Sequence, residues 1–240
     1  MSGHLYSGFG GKVCWFARRF GWSELLFLPL RKIASPLVRP FLRARDFEYR
    51  DHRLECFYAN YNVTWSNERC AEIPIARWHL AQTGGPVLEV GNVLGHYSAH
   101  SHTVIDKFET GAGIINEDIT KWRTDERFAL ILSISTFEHV GFDDDAGDNS
   151  GEKIHAAIAA CRALLAPGGC LVITVPLGYN PALDELISSD ALPASEARFL
   201  LQHGRREWRE VTRDQSLGTK YGRPFPYANG LWIAQFNAPE

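Results

Sequence analysis

Short apolar runs bounded by glycine or proline alternate along this chain with longer stretches in which apolar residues recur every three or four positions. Val87-Leu88-Glu89-Val90 is such a run, and Gly91 and Gly95 follow it, so it reads as a buried strand turning sharply into a helix. Phe128 to Ser135 is a stronger strand and Gly113 to Ile119 a short one. Glu152 to Ala166 is helical: Ile154, Ala157, Ile158, Cys161, Leu164 and Leu165 share one stripe, which leaves His155 and Arg162 solvated. Pro167-Gly168-Gly169 stops that helix and turns into Cys170 to Val175, whose unbroken apolar character belongs to a parallel sheet covered on both faces. Ile73 to Leu80 and Glu196 to Trp208 also read as helices, and Gly230 to Phe236 as a last strand.

Ahead of this lies a different pattern. Residues 1–45 read as one or two short amphipathic helices broken by Pro29, Pro36 and Pro40. From Asp46 to Thr64, Phe47, Tyr49, Leu54, Cys56, Tyr58 and Tyr61 surround the polar Arg50-Asp51-His52, which predicts a β-hairpin. The chain thus divides into an N-terminal arm and hairpin, residues 1–70, which serves the substrate or a dimer contact, and a ligand-binding domain, residues 71–240.

The glycine bend after Val90 sits where an α/β sheet binds ligands, at the carboxyl end of a strand. Val93 stands where the dinucleotide fingerprint has its second glycine, which disfavours pyrophosphate. Glu89 before the bend, with Asp106 and Asp118 downstream, suits a cationic, ribose-bearing ligand without phosphates. Here the chain resembles the class I S-adenosylmethionine (SAM)-dependent methyltransferases, over roughly Pro86 to Val175. Leu88-Glu89-Val90-Gly91 with Gly95 resembles their first motif, and Val104-Ile105-Asp106 the second strand ending in the ribose-holding acid. Asn116-Glu117-Asp118-Ile119 resembles the adenine-contacting segment, Leu130-Ile131-Leu132-Ser133 the fourth strand, and Leu164 to Ile173 the helix-turn-strand signature.

The resemblance implies a Rossmann-like methyltransferase fold: an α/β architecture with a central, mostly parallel, seven-stranded sheet flanked by helices. It implies SAM as cofactor, with Glu89, Gly91, Asn92, Gly95, Asp106, Asp118, Ile119 and Ser133 around it. Only about ten residues separate Asp106 from Asp118, so the helix usual between those strands is missing or reduced to a turn.

Composition narrows the class. With 45% hydrophobic and 22% charged residues the chain is an ordinary globular protein, and no apolar run is long enough to span a bilayer. Five cysteines without a close pair support neither a disulfide framework nor a zinc knuckle, and with no secretory pattern the expected location is cytoplasmic. The net charge of −3 hides a polarity: residues 1–45 carry eight Lys/Arg against Glu24 alone. A solvated arm or homodimer contact is the plain reading of that segment; a membrane surface, nucleic acid or acidic partner is the other. The remainder is acidic and has no basic groove, so nucleic acid is not expected as substrate.

The chemistry is expected after the fourth strand, in Ser135-Thr136-Phe137-Glu138-His139. Methyl transfer is an in-line displacement, so the enzyme must align the acceptor and remove its proton. His139 is the candidate base and Glu138 its orienting partner; the competing reading has both capping a helix turn. Trp65, Glu68 and Arg69 offer an aromatic face beside planar donors and acceptors, as sugars require, or else a core plug beside an N-cap at Ser66 or Asn67. Tyr179 and Asn180, in the loop after the apolar strand, are further acceptor contacts or a plain turn. Asp143, Asp144, Asp145 and Asp148 have the oxygen chemistry of a Mg2+ site but lie in a Gly/Asn/Ser loop, so no metal is assigned.

The function expected is O-methylation of a hydroxyl on a sugar or oligosaccharide. That expectation rests on a similarity to small bacterial methyltransferases of polysaccharide synthesis, among them the mycobacterial methylmannose polysaccharide type, which would make the acceptor a mannoside. Two other readings stay open: a catalytically silent adaptor of the same fold, for which Val93 argues, and a methyltransferase for phenols or amines, which needs an aromatic pocket or an acidic clamp.

Overall fold

The computed structural model describes residues 22–99, 101–142 and 150–239. The acidic loop of Asp143, Asp144, Asp145 and Asp148 lies outside them, as does the arm before Trp22. The first described helix, α1 (Trp22–Val38), leads through a 3-10 turn to the hairpin β1 (Asp46–Tyr49) and β2 (His52–Glu55). Both residues of its turn, Arg50 and Asp51, have positive φ (51° and 59°), the backbone that matches the twist of two paired strands. The predicted hairpin is therefore present. Its Phe47 and Tyr49 point inward onto α2 (Arg69–Ala81), where Tyr49 Oη lies 2.8 Å from His79 Nε2.

An eight-stranded sheet follows, in the order β5-β4-β3-β6-β7-β10-β8-β9. Its strands are β3 (Val87–Val90), β4 (Thr103–Ile105), β5 (Ile114–Ile115), β6 (Phe128–Ile134), β7 (Leu165–Pro176), β8 (Glu196–Gly204), β9 (Glu207–Val211) and β10 (Gly230–Asn237). From β5 to β7 all pairings are parallel, and β10 inserts antiparallel between β7 and β8. The fold is the expected Rossmann-like one. Successive residues bury on opposite faces: Ile131 and Leu171 join the core under α3 (Ser150–Ala163) and α4 (Pro181–Ser188), whereas Leu132 and Val172 join the core under α2 and the hairpin. This two-sided burial is why the strands read as unbroken apolar runs.

Four expectations are corrected. Glu196 to Trp208 is not a helix but the strand pair β8 and β9, the latter an eighth strand beyond the seven expected. Phe199 and Leu200 are both buried, one on each face, which erased the alternation that marks a strand. Second, α1 runs unbroken through Pro29 and Pro36. Both prolines are exposed, so water can satisfy the carbonyls their missing N–H groups release. Third, β3 does not turn into a helix; only a 3-10 turn, Leu94–His96, follows. Gly91 to His102 gives the connection to β4 just twelve residues, about the minimum for a parallel crossover. Fourth, α3 stops at Ala163 and β7 begins at Leu165, so Pro167-Gly168-Gly169 forms an irregularity inside the strand pairing rather than a turn before it. Between Asp106 and Ile114 there is no helix, as the short spacing required.

Candidate functional site

The bend after β3 is held from inside. Glu89 is fully buried; its Oε1 accepts from the Val93 and Leu94 N–H groups, both at 2.8 Å, and its Oε2 lies 2.8 Å from His102 Nε2. Those two N–H groups, which a helix N-terminus would have offered to a ligand, are thus taken by the chain's own carboxylate. Gly91 adopts φ +89°, and a Cβ there would stand 2.2 Å from Thr136 Oγ1. Thr136, two residues past β6, therefore leans directly over the bend.

Just past the end of the neighbouring strand β4, Asp106 closes the bend from the other side. Its Oδ2 accepts from Asn92 N (3.0 Å), and its Oδ1 from Phe108 N and Glu109 N (2.8 Å each). Asn92 donates through Nδ2 to Glu109 Oε1 (2.7 Å), while its Oδ1 is buried without a hydrogen-bond partner. Asp118 accepts from Thr120 and lies 3.4 Å from Lys107 Nζ. Its partial burial acts upward, but the Thr120 hydrogen bonds and the Lys107 charge prevail and hold its carboxyl below the usual range. Ile119 is packed in the core, Ser133 Oγ donates to Val90 O (3.1 Å) and so ties β6 to β3, and Gly95 is exposed in the 3-10 turn. Tyr61, which the sequence pattern assigned to the hairpin segment, stacks on His96 with ring centres 4.6 Å apart.

At the carboxyl ends of β6 and β7 a second cluster assembles. Glu72 of α2 is fully buried; its Oε1 accepts from Ser135 Oγ (2.7 Å) and Thr174 Oγ1 (2.8 Å), and its Oε2 from Arg69 Nη1 (3.0 Å). One turn earlier, Glu68 accepts from the Ala228 N–H (3.2 Å), and burial together with the Glu72 charge pushes its carboxyl up. The 3-10 turn Phe137–His139 brings Glu138 into this ring. Only 2% of Glu138 is exposed, its Oε2 has no hydrogen-bond partner, and its Oε1 lies 3.5 Å from His139 Nε2. Burial drives its carboxyl up to about 7, against the opposing pull of His139 and Arg69. Tyr179 meets the His139 ring edge-on at 5.0 Å and the Tyr221 ring at 5.2 Å. Asn180 donates to the Glu138 carbonyl (2.9 Å) and caps α4 through Oδ1.

Glu138, His139, Glu68, Arg69, Tyr179 and Asn180 are thus brought into one neighbourhood, joined to the bend by the Thr136–Gly91 contact. Trp65 goes elsewhere: Nε1 donates to Ser35 Oγ (2.9 Å), tying the segment to α1. Asn67 Oδ1 takes the Arg69 N–H (3.1 Å) as a cap would. Sequence reading missed Glu72, Thr174 and Tyr221, and named Ser135 only as the start of the segment carrying Glu138 and His139. Glu72 left a trace, an acid four residues after Glu68 among the apolar Cys70, Ala71, Ile73, Ile75 and Ala76. Among the described residues no group of three or more His, Cys, Asp or Glu could hold a metal ion.

Two buried acceptor atoms, Asn92 Oδ1 and Glu138 Oε2, therefore lie one residue from Gly91 and two from Thr136 along the chain, without donors. Asp106 and Glu109 stand beside the first, and Glu72, Arg69 and His139 beside the second. Unpartnered acceptors in such a setting fit a ligand that brings its own N–H or O–H groups.

No family model matches the chain, and no curated protein matches it. Solved structures do. The N-methyltransferase NodS from Bradyrhizobium japonicum WM9, in complex with S-adenosyl-L-homocysteine, is 18% identical over 72% of this chain and 88% of that one, with a TM-score of 0.46. A TehB-like SAM-dependent methyltransferase from Corynebacterium glutamicum ATCC 13032 Kitasato is 17% identical over 68% and 86%, with a TM-score of 0.40. The glycopeptide N-methyltransferase MtfA complexed with SAM is 14% identical over 69% and 86%, with a TM-score of 0.34.

Proposed function

We propose that this chain is a SAM-dependent methyltransferase that transfers a methyl group to a hydroxyl of a sugar or oligosaccharide. The observation that carries this reading is the buried Glu138 carboxyl, with one oxygen unpartnered, beside His139 and joined through Thr136 to the Gly91 bend. When bound, SAM supplies a methyl group on a positively charged sulfur. Asp106 and Asn92 would hold the nucleoside side of the cofactor, with Glu89 and His102 fixing the bend beneath it. Glu138, paired with His139, would accept the proton that the acceptor hydroxyl loses as its oxygen bonds to the methyl carbon and the carbon–sulfur bond breaks, the sulfur leaving as a neutral thioether. A carboxyl poised near 7 suits that task, because it is both ionised and basic enough at neutral pH. The half-exposed His139 side chain then gives the proton a route to water. Tyr179 and Tyr221 wall the acceptor side.

Val93, on which a silent-adaptor reading rests, packs its side chain into the core under α2 rather than over the bend. The amine alternative has its own support: Glu68, Glu72 and Glu138 outnumber the single Arg69 in the ring, as an ammonium-bearing acceptor would want.

Calorimetry with S-adenosylhomocysteine tests the cofactor half of the proposal: tight binding is expected, and no heat at saturating ligand rejects it. Radiolabelled methyl transfer to a panel of neutral sugars, amino sugars and phenols tests the acceptor half. Labelling of neutral sugars supports O-methylation, whereas labelling confined to amines replaces it with the second reading.

A further inference from the structure

Most helices of a folded domain turn their apolar stripe inward. The first described helix does the reverse. Phe27, Leu30, Ile33, Leu37 and Val38 on α1, and Phe41 in the 3-10 turn after it, are 51, 51, 75, 74, 37 and 86% exposed. They make up six of the nine large hydrophobic residues found exposed among the described residues. Positions 27, 30, 33, 37 and 41 recur at steps of three and four, so they form one continuous band along the helix. The face toward the protein is polar where it docks: fully buried Ser35 donates to Asn60 Oδ1 (3.1 Å) and accepts from Trp65 Nε1 (2.9 Å).

Charge selects what covers this band. Lys32, Arg39 and Arg43 are exposed, and Arg39 and Arg43 bracket Phe41. Residues 1–45 carry eight Lys/Arg and one acid, whereas the other 195 residues carry 17 Lys/Arg and 27 Asp/Glu. A second copy of the chain would oppose this cationic face with an identical one, and like charges repel. An anionic bilayer attracts the arm and repels the acidic body, so it fixes one orientation. At 17 residues α1 is about 25 Å long, and among the described residues no helix is long and apolar enough to cross a membrane. It would therefore lie in the interface plane.

We infer that α1 and the turn after it dock this protein onto an anionic lipid bilayer, the apolar band sinking to the acyl boundary while the cations reach headgroup phosphates. This does not depend on the proposed chemistry. The test is flotation of the full-length protein with vesicles of phosphatidylcholine alone or mixed with phosphatidylglycerol. Binding is expected for the mixed vesicles only, weakening as salt rises. Ile33→Asp/Leu37→Asp should lower the affinity at least tenfold with an unchanged melting curve, since both side chains are largely exposed. Lys32→Glu/Arg43→Glu should lower it about fivefold for each cation removed, and decides the matter should the first variant fold poorly. The inference is overturned if neither vesicle binds, if both bind equally, or if the protein ignores vesicles and forms a dimer that Ile33→Asp/Leu37→Asp dissociates.

Discussion

Glu138 and His139 are chain neighbours that face opposite environments: the carboxylate is buried and the imidazole half exposed, yet Oε1 and Nε2 lie 3.5 Å apart. Adjacent residues on an α-helix point apart. Here the tighter 3-10 turn, ending at Val140 in an extended conformation, lets the two side chains meet. A proton acceptor and an outlet are thereby placed side by side.

This arrangement has a pH signature. The Glu138 carboxyl, raised by burial to about 7 from its ordinary 4.5, should make turnover rise through pH 7 as the carboxylate forms. Stability should run the other way. The folded protein holds the proton more tightly than the unfolded chain, so stability falls as pH rises from about 4.5 to 7, by roughly 3 kcal/mol at most. Glu138→Gln should therefore remove this decline in urea melts at pH 5 and pH 8, while cutting turnover by about 10² to 10⁴. His139→Ala should spare S-adenosylhomocysteine binding and abolish most turnover; near-normal rates would remove His139 from the mechanism.

Glu72 is the node that α2 shares with β6 and β7. Glu72→Ala should leave the Ser135 and Thr174 hydroxyls and the Arg69 guanidinium without their acceptor, at a cost of about 3–5 kcal/mol in denaturant unfolding. Glu72→Gln, which keeps an acceptor oxygen, should lose less. Equal losses would mean that charge rather than hydrogen bonding is what matters there.

Gly91→Ala should be severe for two separable reasons. The new Cβ would meet Thr136 Oγ1 at 2.2 Å, and φ +89° strains any side chain. Adding Thr136→Ala should relieve the clash but not the strain, so melting temperature should recover only in part. Full recovery would show that the bend does not need its backbone conformation.

Asp106→Ala should abolish S-adenosylhomocysteine binding in calorimetry and lower the melting temperature, because Asn92, Phe108 and Glu109 lose their shared acceptor. Asp106→Asn keeps one oxygen and should fold better than it binds. Retained affinity in both variants would take Asp106 out of the cofactor site.

The strands around the glycine bend, the hairpin with its polar turn, the apolar β7 and the place of Glu138-His139 directly after β6 were legible in the sequence. Each is written in neighbours a few positions apart, where residue period and glycine placement act directly. Tertiary structure alone decided the rest. Glu72 reaches Ser135 and Thr174 across 63 and 102 positions, a pairing that only the assembled sheet creates. The apolar steps in α1 mark a helix but not which way its band faces, and the run Phe199-Leu200 hides its strand because both faces of the sheet are covered. Local periodicity fixes an element's shape; what the element presents to its surroundings depends on what packs against it.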